Sequence, residues 1–237
     1  MTSAFPVAIL AGGLATRLRP LTKTIPKALL DIQGYPFIYH QLHLLKKQGI
    51  DNVVMCINYL GEQVEGYVGN GERFGLKVQY VYDGETQLGT AGALKKALPL
   101  LGENFFVLYG DSYLPCNFPA VQRAYQQSQK KALMTIYPNQ NAWDASNVEY
   151  RAGSIITYDK KNRTSSMHYI DYGLGVFSHS AFSHVFDNQA FDLAILYQWL
   201  LKAQQLAAYV VPERFYEVGS LAGIEEFSNY ILGEAIQ

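Results

Sequence analysis

Short apolar runs alternate with amphipathic stretches through most of the chain. Residues 6–10 (PVAIL), 52–58 (NVVMCIN), 76–82 (LKVQYVY), 105–111 (FFVLYGD) and 132–138 (ALMTIYP) read as strands, several apolar enough to be buried on both faces. Between them, 37–49 places Ile38, Leu42 and Leu45 on one helical stripe and stops at Gly49, a C-cap residue. Residues 60–69, 89–101 and 119–129 read as further helices. This β-α-β-α order predicts a mostly parallel, Rossmann-like α/β sheet flanked by helices. Ligands of such sheets bind at the carboxyl ends of the strands. The polar segments 11–13 (AGG) and 110–112 (GDS) therefore fall on one rim.

The rhythm changes near residue 140. Residues 146–161 read as a hairpin turning at Ala152-Gly153, and 168–178 as another extended stretch. An amphipathic helix (193–205), a strand (206–212) and a last helix (221–232) follow. The hairpin region predicts a small β-rich insertion. No repeat or low-complexity tract occurs. The 237 residues suit one large α/β domain, with no linker to divide them.

The first strand runs into Gly12-Gly13, followed by Arg17, Arg19 and Pro26-Lys27. A strand ending in a glycine turn exposes successive amides, which form a concave anion site. Arginine and lysine beside it add fixed charge and fork-shaped donors. This combination predicts a polyphosphate site. Net charge is only −1, so the cationic character is local, and wholesale binding to nucleic acid or a membrane is not expected. No stretch reaches the length of a membrane span, and the N-terminus lacks the basic and apolar regions of a signal peptide. Two cysteines, Cys56 and Cys116, both in apolar surroundings, read as reduced core thiols of a cytoplasmic protein.

Residues 10–30, LAGGLATRLRPLTKTIPKALL, closely resemble the signature of the sugar-1-phosphate nucleotidylyltransferases, roughly L-A-G-G-x-G-T-R-L-x-P-L-T followed by P-K-P/A-L. The resemblance continues through LGTAGALKKAL (88–98), VLYGDS (107–112), YDKK (158–161), YIDYGLGVF (169–177) and FYEVGS (215–220), in the family's order over nearly the whole chain. Departures are few. Ala15 stands where the family has glycine. Asp159 and Lys161 replace the glutamate and proline of E-K-P, and Glu217 replaces the aspartate of W-x-D-x-G.

The resemblance implies transfer of a nucleotidyl group from an NTP to a sugar 1-phosphate, with release of pyrophosphate, for surface glycan biosynthesis. It divides the chain into a nucleotide-binding part (1–140) and a sugar-binding part with C-terminal helices (141–237). It implies that Leu10, Ala11, Gly12, Gly13 and Ala15 cradle the triphosphate. Arg17 then stabilises the leaving pyrophosphate, and Lys27 bridges the two substrates. Asp111, with Glu217, holds Mg²⁺, a hard cation suited to carboxylate and phosphate oxygens. Gln87, Gly89, Thr90 and Gly92 form the base pocket, whose wording leans towards GTP. Asn147, Lys160, Asp171 and Gly173 line the sugar-phosphate side, with Lys161 as the competing lysine.

Two alternatives stay open in the sequence. One is a nucleotidylyltransferase for a non-sugar phosphate such as phosphocholine. The other is a non-catalytic nucleotide-sensing homologue, which the retained Arg17, Lys27, Asp111 and Lys160 argue against. His40 and His43, three apart on a helix, read as helix-face residues rather than metal ligands, for want of a third ligand. A homo-oligomer is an expectation by analogy alone.

Overall fold

A computed structural model describes residues 3–13, 18–84 and 86–235. In chain order the elements are β1 (Val7–Leu10), β2 (Asp31–Ile32), β3 (Tyr35–Pro36), α1 (Phe37–Lys47), β4 (Asn52–Ile57), α2 (Gly61–Val68), β5 (Lys77–Tyr82), α3 (Gly89–Leu101), β6 (Asn104–Tyr109), β7 (Ser112–Tyr113), α4 (Phe118–Ser128) and β8 (Ala132–Tyr137). Then follow β9 (Val148–Arg151), β10 (Ser154–Tyr158), β11 (Ile170–Ser178), α5 (Leu193–Lys202), β12 (Leu206–Val210), β13 (Tyr216–Glu217) and α6 (Leu221–Ala235). The apolar runs and amphipathic stretches of the sequence thus become strands and helices nearly residue for residue.

Seven strands form the central sheet in the order β12-β8-β11-β6-β1-β4-β5. Pairing is parallel everywhere except at β11, which runs antiparallel to both β6 and β8. The architecture is a mostly parallel sheet flanked by helices, as the alternating pattern predicts. Two of its strands come from beyond residue 140, so the change of rhythm there is not a seam in the sheet.

Alternate residues of the strands face two separate cores. Val7, Ile9, Val53 and Met55 pack with α1, α2 and α4 through Ile38, Leu42, Val64, Phe118 and Val121. Ala8, Val54, Cys56 and Val107 face the other way, onto Leu94, Leu98, Leu193 and Leu196 of α3 and α5. The sheet is covered on both faces, which is why its strands read as continuous apolar runs. A third cluster (Ile32, Phe37, Tyr113, Val218, Phe227) docks α6 onto the β2 and β7 edges.

The insertion is the β9–β10 hairpin, turning at Ala152 (φ +48°) and Gly153 (φ +83°). Two elements escape the apolar pattern because they are only two residues long: the β2–β3 hairpin and the β7–β13 pair. No helix among the described residues is long and apolar enough to cross a membrane.

Candidate active site

The carboxyl ends of β1, β4 and β6 open into a cleft of about 460 Å³. Its lining includes Leu10, Ala11, Gly12, Gly13, Lys27, Gln87, Gly89, Thr90 and Asp111, together with Cys56, Asp83 and Tyr109. Nine of the residues singled out in the sequence therefore converge on one space. Ala15 and Arg17 lie outside the described residues. Gly110 explains how the strand tips meet: its N–H donates to Leu10 O at 2.9 Å, and a Cβ there would stand 2.7 Å from that of Ala11.

Lys27 Nζ meets Asp111 Oδ2 at 2.7 Å, both side chains mostly withdrawn from solvent (18% and 28% exposed). The main chain around Asp111 is held from three directions. Val218 N donates to Asp111 O at 2.9 Å, and Glu217 pairs with Ser112 across the β7–β13 ladder. From α1, the fully buried Gln41 donates its amide hydrogens to Tyr109 O (3.0 Å) and Ser112 O (2.8 Å). Among the described residues its own Oε1 has no partner. Nothing in the sequence singles out Gln41, a polar residue on an otherwise apolar helix face.

A second ammonium group lies beyond Tyr109. Lys160 Nζ is 3.3 Å from Asp171 Oδ2 and 5.5 Å from the centre of the Tyr109 ring. The Asp171 side chain is 4% exposed, whereas Lys160 is 43% exposed. Burial works against charge on Lys160, but the Asp171 carboxylate and Tyr109 outweigh it, and its pKa is raised. The lysine is therefore firmly cationic.

Asp171 is surrounded by protein donors. Its oxygens accept from the Tyr158 hydroxyl (3.2 Å), Lys160 and Gly173 N (3.1 Å), and Asn147 Oδ1 accepts from Asp171 N (2.9 Å). The four residues do come together, but Asn147 and Asp171 spend their polar atoms on each other's surroundings and on Lys160. Gly173 sits at φ +98°, where β11 shifts register, a conformation that disfavours a side chain. Lys161 N instead donates to Asp159 Oδ1 in the turn after β10.

The segment 87–92 is split. Gln87, Gly89 and Thr90 border the cleft; Gly92 does not. A Cβ on Gly92 would stand 2.6 Å from Gln189 O, and one on Gly89 (φ +67°) 2.8 Å from Phe191 O. These glycines admit the 189–191 backbone against α3. The Thr90 hydroxyl likewise accepts from Leu193 N at 2.7 Å, tying α3 to the start of α5.

His40 Nε2 bonds Ile32 O and His43 packs on Tyr39 and Phe74. No group of three metal-ligating side chains forms among the described residues. The two histidines are helix-face residues.

A Rossmann-like sheet with a glycine turn and paired charges on its carboxyl rim is the architecture of an α/β nucleotide-binding protein. The chain belongs to the nucleotidyl transferase family, whose model matches residues 7–229. It is 33% identical over 176 residues to the mannose-1-phosphate guanylyltransferase catalytic subunit beta of Xenopus tropicalis, covering 72% of this chain and 49% of that protein. It is 29% identical over 203 residues to the UTP–glucose-1-phosphate uridylyltransferase of Synechocystis sp., covering 78% and 52%. The solved structure of HddC from Yersinia pseudotuberculosis complexed with GMP-PN superposes with a TM-score of 0.81 at 22% identity, over 96% of this chain and 99% of that one. That last likeness concerns the fold. The chain spans about half the length of the curated relatives it matches.

Proposed function

We propose that this protein transfers a nucleotidyl group from an NTP, with GTP favoured, to a sugar 1-phosphate, releasing pyrophosphate. The observation that carries this reading is two carboxylate-held ammonium groups, Lys27–Asp111 and Lys160–Asp171, set around Tyr109 beside a glycine turn. Two anions must be joined in this reaction, so the first requirement is cationic charge on both sides of the reacting phosphorus.

In this reading residues 1–140 serve the nucleotide and 141–237 mainly the sugar phosphate. The amides of Gly12 and Gly13 receive the triphosphate. Lys160, held by Asp171, Tyr109 and Tyr158, positions the sugar phosphate. One of its oxygens attacks the α-phosphorus in line. A new P–O bond forms as the bond from the α-phosphorus to the bridging oxygen breaks, and the electron pair leaves on pyrophosphate. Lys27 neutralises charge between the reactants, and Arg17 serves the leaving group. Such fixed charges act strongly because they need no rearrangement at the moment of reaction.

Asp111 and Glu217 suit Mg²⁺: both offer carboxylate oxygen, and the β7–β13 pairing sets their backbones side by side. A divalent ion held there would supply charge neutralisation between the two anionic reactants. The same reading places the enzyme in the cytoplasm, supplying an activated sugar for surface glycans.

Pyrophosphate release tests the proposal. The four NTPs are each incubated with a panel of hexose and heptose 1-phosphates in Mg²⁺ buffer. Release with at least one sugar phosphate is expected. Release with phosphocholine alone, or with nothing, overturns it.

A further inference from the structure

We infer that Arg214 is a positioning residue, which holds the Lys27–Asp111 and Lys160–Asp171 pairs at their mutual spacing from outside the cleft. What that spacing serves rests on the nucleotidyl-transfer reading above. The starting point is a chain of flat groups that the proposed chemistry leaves unused. The Arg214 guanidinium carbon lies 3.2 Å from the centre of the Trp143 ring and 4.8 Å from that of Tyr216. Tyr216 in turn stacks on Tyr230 of α6, with ring centres 4.3 Å apart. Glu226, also on α6, pairs with the guanidinium. None of these residues lines the cleft.

Two features show that the rings place Arg214. Its Nε is buried and has no hydrogen-bond partner among the described residues. An unpaired buried donor is costly, so stacking and the Glu226 carboxylate must hold the group there. Trp143 is 47% exposed, and among the described residues no aromatic ring packs on it. A tryptophan so exposed gains little from burial. Its contact is the planar, weakly hydrated guanidinium.

Each end of this chain of contacts reaches one ion pair. On one side, Tyr216 and Glu217 pair with Tyr113 and Ser112 in the β13–β7 ladder, and Val218 N donates to Asp111 O at 2.9 Å. On the other, Trp143 belongs to a loop closed on itself. The buried Asn139 accepts from Trp143 N (3.3 Å) and donates to Asp144 O (2.6 Å) and Ser146 Oγ (3.1 Å). The loop runs directly into Asn147, whose Oδ1 accepts from Asp171 N at 2.9 Å. It is also the connection through which the β9–β10 hairpin, with Lys160 after it, leaves the central sheet at β8. That hairpin is a separate two-stranded sheet, so the main ladder does not fix it. The Asp111 turn has a second support in Gln41. Releasing Arg214 therefore loosens the Lys160 side more than the Lys27 side.

Steady-state pyrophosphate release in Mg²⁺ buffer tests this, with whichever NTP and sugar phosphate the wild type uses. In Arg214→Met, and separately in Trp143→Leu, we expect kcat/KM for the sugar phosphate to fall roughly tenfold, with KM for the NTP within about twofold of wild type. Trp143→Phe keeps an aromatic face and should restore kcat/KM to within about threefold. The double variant should be no more than about threefold below either single one, because both remove the same contact. A merely structural role would lower the melting temperature and leave the two substrates equally affected. Trp143→Leu alters an exposed side chain, so it keeps the test open if Arg214→Met does not fold. A second readout needs no turnover. The chain has two tryptophans, so Trp199→Phe leaves Trp143 as the sole reporter, and adding Arg214→Met should steepen its quenching by acrylamide. Unchanged quenching, or wild-type kcat/KM in Trp143→Leu, overturns the assignment while nucleotidyl transfer stands. If the wild type releases pyrophosphate with no sugar phosphate, both fall.

Discussion

At the residue scale, the site is a set of charges held by neighbours that do not react. Asp111 is the clearest case. Its carboxylate meets Lys27, while its backbone is fixed by Val218 N on one side and by Gln41, through Tyr109 O and Ser112 O, on the other. Asp111→Asn keeps the shape and removes the charge. We expect pyrophosphate release to fall more than tenfold with the melting temperature within a degree or two, a barrier rise above about 1.4 kcal/mol. Gln41 acts at one remove. In Gln41→Glu the new carboxylate faces two carbonyl oxygens with no hydrogen to donate. Burial and those carbonyls favour its protonated form, which can donate one bond. Turnover of this variant should therefore recover as pH is lowered from 8 towards 6, relative to wild type at each pH. A flat ratio across that range would show that Gln41 does not act through the Asp111 turn. The charged residues of the site were legible in the sequence because they sit inside dense local motifs. Gln41 and Tyr109 were not, because each takes its place through a partner distant in sequence, as Gln41 does through Ser112, 71 positions away.

At the element scale, helix α3 shows motif glycines that also serve packing. Residues 88–98 are helical from Gly89, as the sequence predicts, but the two glycines answer to the backbone of 189–191. Gly92→Ala should lower stability by roughly 1–3 kcal/mol, because its Cβ meets Gln189 O at 2.6 Å. A chain of this size then loses about 2–4 °C of melting temperature per kcal/mol. Nucleotide affinity should stay near wild type once the variant is folded. A weakened affinity with an unchanged melting temperature would return Gly92 to the base pocket. Strand β11 is the other instance. Its sequence reads as extended, yet nothing in it says that it enters the central sheet between β6 and β8 against the prevailing direction. Direction is set by which neighbours offer a free edge and an apolar face, and that is a property of the assembled sheet.

At the scale of the whole molecule, burial of the sheet on both faces governs the two cysteines. Cys56 and Cys116 are 2% and 1% exposed, and burial pushes each thiol up to about 12, with Asp83 and Glu213 respectively adding to the shift. The reactive species is the thiolate, so a thiol reagent at pH 8 should leave the native protein unmodified for minutes and modify both cysteines in guanidinium. The sign of the pH effect follows from linkage. Between about 9 and 12 the unfolded chain has lost these protons and the native state still holds them, so native stability should fall as pH rises through that window. Denaturant midpoints at pH 8, 9 and 10 check this. A midpoint that climbs with pH would show that the thiols ionise in the native state.

What the sequence determined by itself is local or periodic. The alternation of apolar runs and amphipathic stretches specified nearly every element, because burial on two faces leaves an unbroken apolar signature in a strand and a stripe in a helix. The glycines after β1 and the basic residues near them point to a candidate anion site for the same reason: adjacent residues can act together. The tertiary structure alone decided the rest. It set β11 against the sheet, paired Asp171 with Lys160, packed Gly92 against a neighbouring loop, and brought Gln41 beneath the Asp111 turn. Those outcomes depend on which distant atoms compete for one hydrogen bond or one small volume, and that competition exists only once the chain has folded.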